Sequence, residues 1–223
     1  MMPAPTASLR REFVDFLLAT GVLAFGDFQT KSGRRTPYFM NFGLFHRGSE
    51  AARLGRFYAQ AIQTRLGQGY DVLFGPAYKG IPLVVATAAA LSEQGHDVSY
   101  CFNRKEAKDH GEGGLLVGRK LKDGDRVVIV EDVTTAGTSI RETVPLLRAA
   151  ARVQLAGLVV AVDRQERGTG EKSALCELEA EFGMPCFAIA TIDEIVATLL
   201  EEGRLTPELL TRIQAYRTQF GGR

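Results

Sequence analysis

The residues with the clearest chemical meaning form one continuous string in the middle of the chain. An apolar run at 127–130 ends in two adjacent carboxylates, Glu131 and Asp132, and small and hydroxyl-bearing residues follow as far as Ser139. This pattern predicts a buried strand, a short loop and the start of a helix, where free amides and hydroxyls suit a phosphate dianion. The two carboxylates would repel a phosphate, but they can accept hydrogen bonds from the vicinal hydroxyls of a sugar. The string therefore predicts a site for a ribose 5-phosphate, and a capped helix after an ordinary strand is the alternative.

The flanking sequence predicts the elements that must position this string. Apolar runs predict strands at 25–30, 38–42, 71–74, 98–102, 126–130, 155–162 and 187–190. Helical periodicity predicts helices at 8–20, 80–92, 138–151, 175–182, 192–202 and 207–220, and a further long helix that Ser49 caps and Gly67 closes. Alternating strands and helices with continuously apolar strands are typical of an α/β fold with a parallel sheet and helices on both faces. In such folds the ligand crevice lies at the carboxyl ends of the strands, where the string begins.

The segment 103–114 predicts a long polar loop, because Ala107 is its only apolar residue and it contains three glycines. Its basic residues Arg104, Lys105 and Lys108 are balanced by as many acidic residues, so its net charge favours no particular ligand. Long polar loops inside compact domains are often lids or disordered segments. A solvated surface loop is the alternative.

The composition excludes several classes of protein. With 27 basic and 26 acidic residues the net charge is +1, without the basic excess that is typical of nucleic-acid binding, so we expect no nucleic-acid partner. The longest apolar run, at 81–91, is well short of the roughly 20 residues of a membrane span, and the first residues show no signal peptide. The 3 cysteines have no C-x-x-C spacing, which indicates reduced thiols. We therefore expect a cytoplasmic enzyme that does not bind membranes.

The string that ends at Ser139 resembles the phosphoribosyl diphosphate (PRPP) signature of the type I phosphoribosyltransferases. Further segments at 31–34 with 37–41, 75–82, 103–114 and 163–168 resemble the orotate phosphoribosyltransferases, and they follow that family's order. The resemblance implies a central parallel sheet flanked by helices, a small hood subdomain and a flexible lid loop. A single domain would span 1–223, with the hood at about 20–45 plus the C-terminal part, the core at about 50–190 and the lid at 103–114.

The resemblance also implies an activity: transfer of ribose 5-phosphate from PRPP to orotate, which yields orotidine 5′-monophosphate and diphosphate in de novo pyrimidine synthesis with Mg²⁺. It implies that PRPP is bound by Lys31, Tyr78, Lys79, Arg104, Lys105, Lys108, His110, Glu131, Asp132, Val133, Thr134, Thr135, Ala136, Gly137, Thr138 and Ser139. Among these, Arg104, Lys105, Lys108 and His110 are implied as catalytic and, in a homodimer, as reaching into the neighbouring subunit's site. No protein metal site is expected, because Mg²⁺ prefers water and substrate oxygens and would arrive with PRPP.

Orotate is a planar ring with one carboxylate, which requires an apolar face and a guanidinium fork. The resemblance implies that Phe39 and Met40 line the ring, that Arg164 binds the carboxylate and that Thr135 lies near the base. The family often has a second Phe where this chain has Met40. Core packing is the alternative for Phe39, and an ion pair with Glu166 or Asp163 is the alternative for Arg164.

Two other functions stay open at this point. The PRPP signature fixes only the donor, so a phosphoribosyltransferase for another base is possible. A non-catalytic PRPP-sensing regulator would keep the 131–139 string but would have no need of the basic segment between Arg104 and His110.

Overall fold

Strands and helices alternate along most of the chain. The computed structural model describes residues 7–29, 33–108 and 114–222, and at 107, 108 and 114 it describes the backbone alone. The strands are β1 (Leu23–Gln29), β2 (Arg35–Met40), β3 (Val72–Gly75), β4 (Ser99–Lys108), β5 (Gly114–Gly118), β6 (Arg126–Glu131), β7 (Gln154–Asp163) and β8 (Cys186–Thr191). The helices are α1 (Ala7–Ala19), α2 (Gly48–Leu66), α3 (Gly80–Glu93), α4 (Thr138–Ala150), α5 (Ala174–Phe182), α6 (Ile192–Glu201) and α7 (Pro207–Phe220), with a short 3-10 helix at Phe42–Leu44.

The central sheet has 6 strands in the order β5-β4-β3-β6-β7-β8. Each neighbouring pair from β4 to β8 is parallel, and only the edge strand β5 runs antiparallel to its neighbour β4. The expected α/β fold with a parallel core sheet is confirmed. The carboxyl ends of β4, β3, β6 and β7 therefore lie side by side along one edge of the sheet.

The sheet separates two hydrophobic clusters, as the period of two in its strands requires. Val128 and Val130 of β6 pack with residues of α1, α2, α3, α6 and α7. Val127 and Ile129 of the same strand pack with residues of α4 and α5 on the opposite face. Burial on both faces explains why the strands read as continuous apolar runs in the sequence.

A separate antiparallel pair, β1 with β2, forms a small second sheet. Helix α7 packs on it, and the rings of Tyr38 and Tyr216 meet edge to face with 5.5 Å between their centroids. This pair and the C-terminal helix correspond to the expected hood.

The structure departs from the sequence-based expectations at β5, which no predicted strand covers, and at two further places. Residues 103–108 continue β4 and pair with β5, where a loop is expected. The apolar pattern fails there because these residues lie at the edge of the sheet and are half-buried or exposed wherever their side chains are described. The second of these places is α2, which Ser49 does not cap: the Glu50 carboxylate accepts hydrogen bonds from the amides of His46 (3.0 Å) and Arg47 (3.1 Å).

No helix in the described part of the chain is both long enough and apolar enough to cross a membrane.

Close packing of α2 on α3 yields a stability prediction. A Cβ atom at Gly55 in α2 would lie 2.3 Å from the carbonyl oxygen of Ala86 in α3, whereas a Cβ at Gly48 in the same helix meets nothing within 4 Å. We predict that Gly55→Ala lowers the free energy of unfolding by about 1–3 kcal/mol through overpacking, although alanine favours helix. Urea unfolding measures this free energy. Gly48→Ala is the matched control, for which no loss of stability is expected. Equal stability of the two variants would contradict the close contact.

Candidate active site

The predicted site residues converge on the edge of the sheet that collects the carboxyl ends of its parallel strands. Tyr78 and Lys79 follow β3, the string at 131–139 begins at the end of β6, and Arg164 follows β7 directly. Arg104 lies in the carboxyl-terminal half of β4. Four neighbouring strands therefore deliver these segments to one crevice, which is where ligands bind in open α/β sheets.

The carboxylates of Glu131 and Asp132 are both buried at this edge, with 7% and 6% of each residue exposed. Glu131 Oε1 accepts a hydrogen bond from the Asp132 amide at 3.0 Å, and Oε2 accepts one from Ser139 Oγ at 2.9 Å. The hydroxyl of Tyr58, from α2, donates to the Glu131 carbonyl oxygen at 2.7 Å. Side chain and backbone of Glu131 are therefore both held in place.

Burial changes the acidity of this pair. Desolvation, followed by the charge of Asp132, raises the pKa of Glu131 to about 7, although hydrogen bonds from the Asp132 amide and from Ser139 act in the opposite direction. A carboxyl group with this pKa changes its charge close to neutral pH. It can therefore accept sugar hydroxyls fully only above that range.

Lys79 forms an ion pair across the crevice, from its Nζ to Asp132 Oδ2 at 2.9 Å. The lysine side chain is 59% exposed, and the neighbouring Tyr78 is 71% exposed. The loop that carries them is fixed by a hydrogen bond from the Ala77 amide to Asn103 Oδ1 at 2.8 Å, and the Ala77–Tyr78 peptide bond is cis. The loop is anchored to β4, while its cation and its aromatic ring face solvent.

The loop after β6 has the geometry of an anion cradle. Gly137 has a φ of +74°, which a residue with a side chain rarely adopts, and α4 begins at the next residue. Its amide donates to Thr134 Oγ1 at 3.0 Å. The side chains of Thr135, Thr138 and Ser139 are exposed, whereas Val133 and Ala136 are half-buried. Exposed hydroxyl residues and the start of α4 thus lie together directly after the carboxylate pair, as an anion site requires.

The basic segment meets this loop only in part. Arg104 and Lys105 line a cavity of about 200 Å³ together with Ala77 and Ser139 of the same chain. Lys31 and His110 lie outside the described residues, and of Lys108 only the backbone, at the end of β4, is described. The expected roles of these residues remain predictions.

On the hood, Phe39 and Met40 lie on opposite faces of β2. Phe39 is 38% exposed, and its ring lies 5.6 Å from that of Phe28. Met40 is buried in the hydrophobic core. The two side chains therefore do not line one surface, because neighbouring residues of a strand point in opposite directions.

Arg164 is buried and paired with Glu166, the alternative partner that the sequence leaves open. Its Nη2 lies 2.6 Å from Glu166 Oε1. The sequence analysis did not identify the tyrosines whose hydroxyls hold these acidic residues. Tyr38 and Tyr216 donate to Glu166, and Tyr58 donates to the backbone of Glu131. A tyrosine within an apolar helical stripe, such as Tyr58, was the available signal, since buried tyrosines need a hydrogen-bond partner.

No group of three or more potential metal-ligating residues occurs among the residues that the structure describes.

Comparison with known proteins agrees with this geometry. The family model for the phosphoribosyl transferase domain matches residues 44–179. The chain is 53% identical to the orotate phosphoribosyltransferase of Clostridium beijerinckii over 96% of its own length and 98% of the relative. It is 56% identical to that of Thioalkalivibrio sulfidiphilus, over 94% and 97%. The crystal structure of the Francisella tularensis orotate phosphoribosyltransferase is similar with a TM-score of 0.84 and 36% identity, covering 95% of this chain and 100% of that one.

High identity over nearly full length, a matching domain model and the same fold lead to one conclusion: the chain belongs to the orotate phosphoribosyltransferase family.

Proposed function

We propose that the protein transfers ribose 5-phosphate from PRPP to orotate, releasing diphosphate and forming orotidine 5′-monophosphate for pyrimidine synthesis. The observation that carries this proposal is the carboxylate pair Glu131–Asp132 at the mouth of a cradle of hydroxyls and helix-start amides. Breaking the anomeric bond generates an oxocarbenium-like sugar, as in glycoside hydrolysis. Because diphosphate is already a good leaving group, the site needs cations more than a strong general acid.

The donor site divides PRPP into three parts. The cradle at 134–139 binds the 5-phosphate through amides and hydroxyls, with support from the dipole of α4. Glu131 and Asp132 accept hydrogen bonds from the ribose hydroxyls, and Val133 continues the backbone between them and the cradle. The residues proposed to bind the diphosphate are Tyr78 and Lys79 in the crevice, together with Lys31, Arg104, Lys105, Lys108 and His110.

The Lys79–Asp132 ion pair gives this division a physical basis. In the structure the two groups satisfy each other at 2.9 Å, yet the lysine is more than half exposed, so the pair contributes little to stability. Bound PRPP would replace it by two interactions: Lys79 with the diphosphate and Asp132 with a ribose hydroxyl. After the exchange both side chains would keep a hydrogen-bonding partner, as they have in the free protein.

At the acceptor end, Phe39 offers an exposed aromatic face to the orotate ring, and Arg164 binds the carboxylate through its guanidinium. Thr135 lies between donor and acceptor, and its exposed side chain is available to the base. Met40 supports β2 from the core. This is a smaller role than the ring contact that the resemblance implies.

Mg²⁺ completes the proposed reaction and would enter bound to PRPP. When bound, it neutralises part of the diphosphate charge as the anomeric bond breaks. The chain's own contribution would be to hold the complex mainly through water and through its contacts with PRPP.

We further propose a cytoplasmic homodimer in which Arg104, Lys105, Lys108 and His110 serve the neighbouring subunit's crevice. A dimer is supported by an apolar face of α2 and α3. There Ala51, Pro82 and Ala86 line both a hollow of about 280 Å³ that opens at Lys79 and Asp132 and a second of about 500 Å³. A second copy on this face would lie beside the crevice. The free cysteines agree with a reducing compartment.

The acceptor assignment predicts a selective defect. Arg164→Ala should raise the KM for orotate, because removing one partner of a desolvated charge pair costs about 2–5 kcal/mol, while the KM for PRPP changes little. Diphosphate release from Mg·PRPP measures both constants. Uracil, which is orotate without its carboxylate, is the matched control substrate, and the variant should narrow the difference between orotate and uracil. An equal loss for both substrates, or a wild-type preference for another base, would contradict the assignment.

The raised pKa of Glu131 predicts a pH dependence. With a pKa of about 7 its carboxyl is protonated in mild acid and loses acceptor capacity for the ribose. We therefore expect kcat/KM for PRPP to fall as the pH decreases through 7. PRPP phosphates also titrate near pH 6, so Glu131→Gln, which is always neutral, serves as the control. The kcat/KM of the variant should show no decrease near pH 7. The same pH profile in the variant and the wild type would refute the role of Glu131.

Sharing of the basic segment predicts complementation between two inactive proteins. Lys108→Ala damages the basic segment, and Asp132→Asn damages the ribose site. In a mixed dimer with shared sites, one site combines the two intact parts and the other carries both lesions. Mixing the proteins, with subunit exchange confirmed by mass, should restore about one working site per heterodimer.

If the segment serves its own chain, every site in the mixed dimer keeps one lesion and the mixture stays inactive. In the structure Arg104 and Lys105 already line the cavity beside Ser139 of their own chain. An inactive, verified heterodimer would therefore refute the shared site and leave the reaction assignment intact.

A further inference from the structure

A second buried carboxylate, that of Glu166, lies at the acceptor end of the crevice and collects donors from several elements. It is 4% exposed. Its Oε1 accepts hydrogen bonds from Arg164 Nε at 3.0 Å and Nη2 at 2.6 Å, from the Tyr38 hydroxyl at 3.2 Å and from the Tyr216 hydroxyl at 3.0 Å. These donors come from the end of β7, from hood strand β2 and from α7. One oxygen atom therefore connects the guanidinium to the hood and to the C-terminal helix.

The geometry leaves one edge of the Arg164 guanidinium available. Nε and Nη2 face Glu166, and the guanidinium carbon lies 5.1 Å from the centre of the Tyr38 ring. Within the described residues, Nη1 makes no hydrogen bond. A guanidinium carries five donors in a rigid fork, so fixing one edge and one face determines where the remaining edge points.

Cationic side chains lie on both oxygen atoms of the Glu166 carboxylate. Burial acts to lower the pKa of Arg164, but the charge and hydrogen bonds of Glu166 outweigh it and raise the pKa, so the guanidinium stays charged. The other oxygen of Glu166, Oε2, lies 3.4 Å from Arg34 Nη2. Two guanidinium groups, those of Arg164 and Arg34, therefore lie beside this carboxylate.

The backbone of this loop is held as firmly as its side chains. Arg217 Nη1 donates to the carbonyl oxygens of Arg164 at 3.2 Å and Gln165 at 2.9 Å. Gln165 has a φ of +49°, a conformation that non-glycine residues rarely adopt and that persists where the surroundings fix it. Helix α7 thus fixes the loop through Arg217 and the carboxylate through Tyr216.

We propose that Glu166 is the positioning residue for the acceptor: seated by the hydroxyls of Tyr38 and Tyr216, it orients Arg164 so that the free edge of the guanidinium meets the substrate carboxylate. This inference rests on the proposed function, in which Arg164 binds the carboxylate of orotate.

The test compares Glu166→Gln with Glu177→Gln. Glu177 is a matched control, because it braces the same β7–α5 connection through the amides of Thr169 (3.0 Å) and Gly170 (2.6 Å) without contacting Arg164. Glu166→Gln should raise the KM for orotate by about tenfold, the loss expected for one hydrogen bond to a charged group, and leave the KM for PRPP unchanged. Tyr216→Phe, which removes one hydroxyl donor, should raise the KM for orotate by about threefold. This variant replaces Glu166→Gln in the test if Glu166→Gln does not fold. Glu177→Gln should change neither constant.

A double-mutant cycle with Arg164→Ala separates positioning from general stability. If Glu166 acts through Arg164, Glu166→Gln adds little to the orotate KM once the guanidinium is gone. The same fold-change in both backgrounds, or a lower Tm with both KM values unchanged, would overturn the proposal. An Arg164→Ala variant with an unchanged orotate KM would instead refute the acceptor assignment itself, so the two failures are distinguishable.

Discussion

A buried strand that ends in two adjacent carboxylates is the constraint on which the crevice depends. Glu131 and Asp132 are both less than a tenth exposed, and a buried carboxylate without partners is strongly destabilising. The surrounding groups satisfy them: Ser139 from the start of α4, backbone amides, and Lys79 from the loop after β3. The groups that satisfy the two carboxylates also enclose the proposed PRPP site. The same contacts therefore serve both the stability of the fold and ligand binding.

The acceptor end also depends on a buried carboxylate with several partners, but its ion pair differs from that at the donor end. Glu166 is also buried, but its donors are the nearby Arg164 and two tyrosines from distant parts of the sequence, and they form a closed cluster around one oxygen atom. At the donor end, the exposed Lys79 pairs with Asp132 and can exchange that partner for substrate. At the acceptor end, the buried Arg164–Glu166 pair stays intact and holds the free edge of the guanidinium in a fixed direction. One crevice thus combines an exchangeable ion pair with a rigid one.

Local pattern predicted most of the fold and the position of the 131–139 string at the end of a buried strand, because the string and the strands around it are continuous in sequence. The β4–β5 pairing was not predicted, because residues 103–108 of β4 carry no apolar pattern that would indicate a strand. The sequence also placed Met40 beside the ring, whereas strand alternation directs it into the core. Glu166 was recognised only as a neighbour of Arg164. Its contact with Tyr216 joins residues 50 positions apart, and no local pattern encodes a hydrogen bond that tertiary packing creates.

The most direct test of the account is a crystal structure of the protein with Mg²⁺ and PRPP. It should show the 5-phosphate at the amides of 135–139, the ribose hydroxyls on Glu131 and Asp132, and Lys79 moved from Asp132 to the diphosphate. A structure in which the Lys79–Asp132 pair persists at its distance of 2.9 Å while the sugar binds elsewhere would contradict the account.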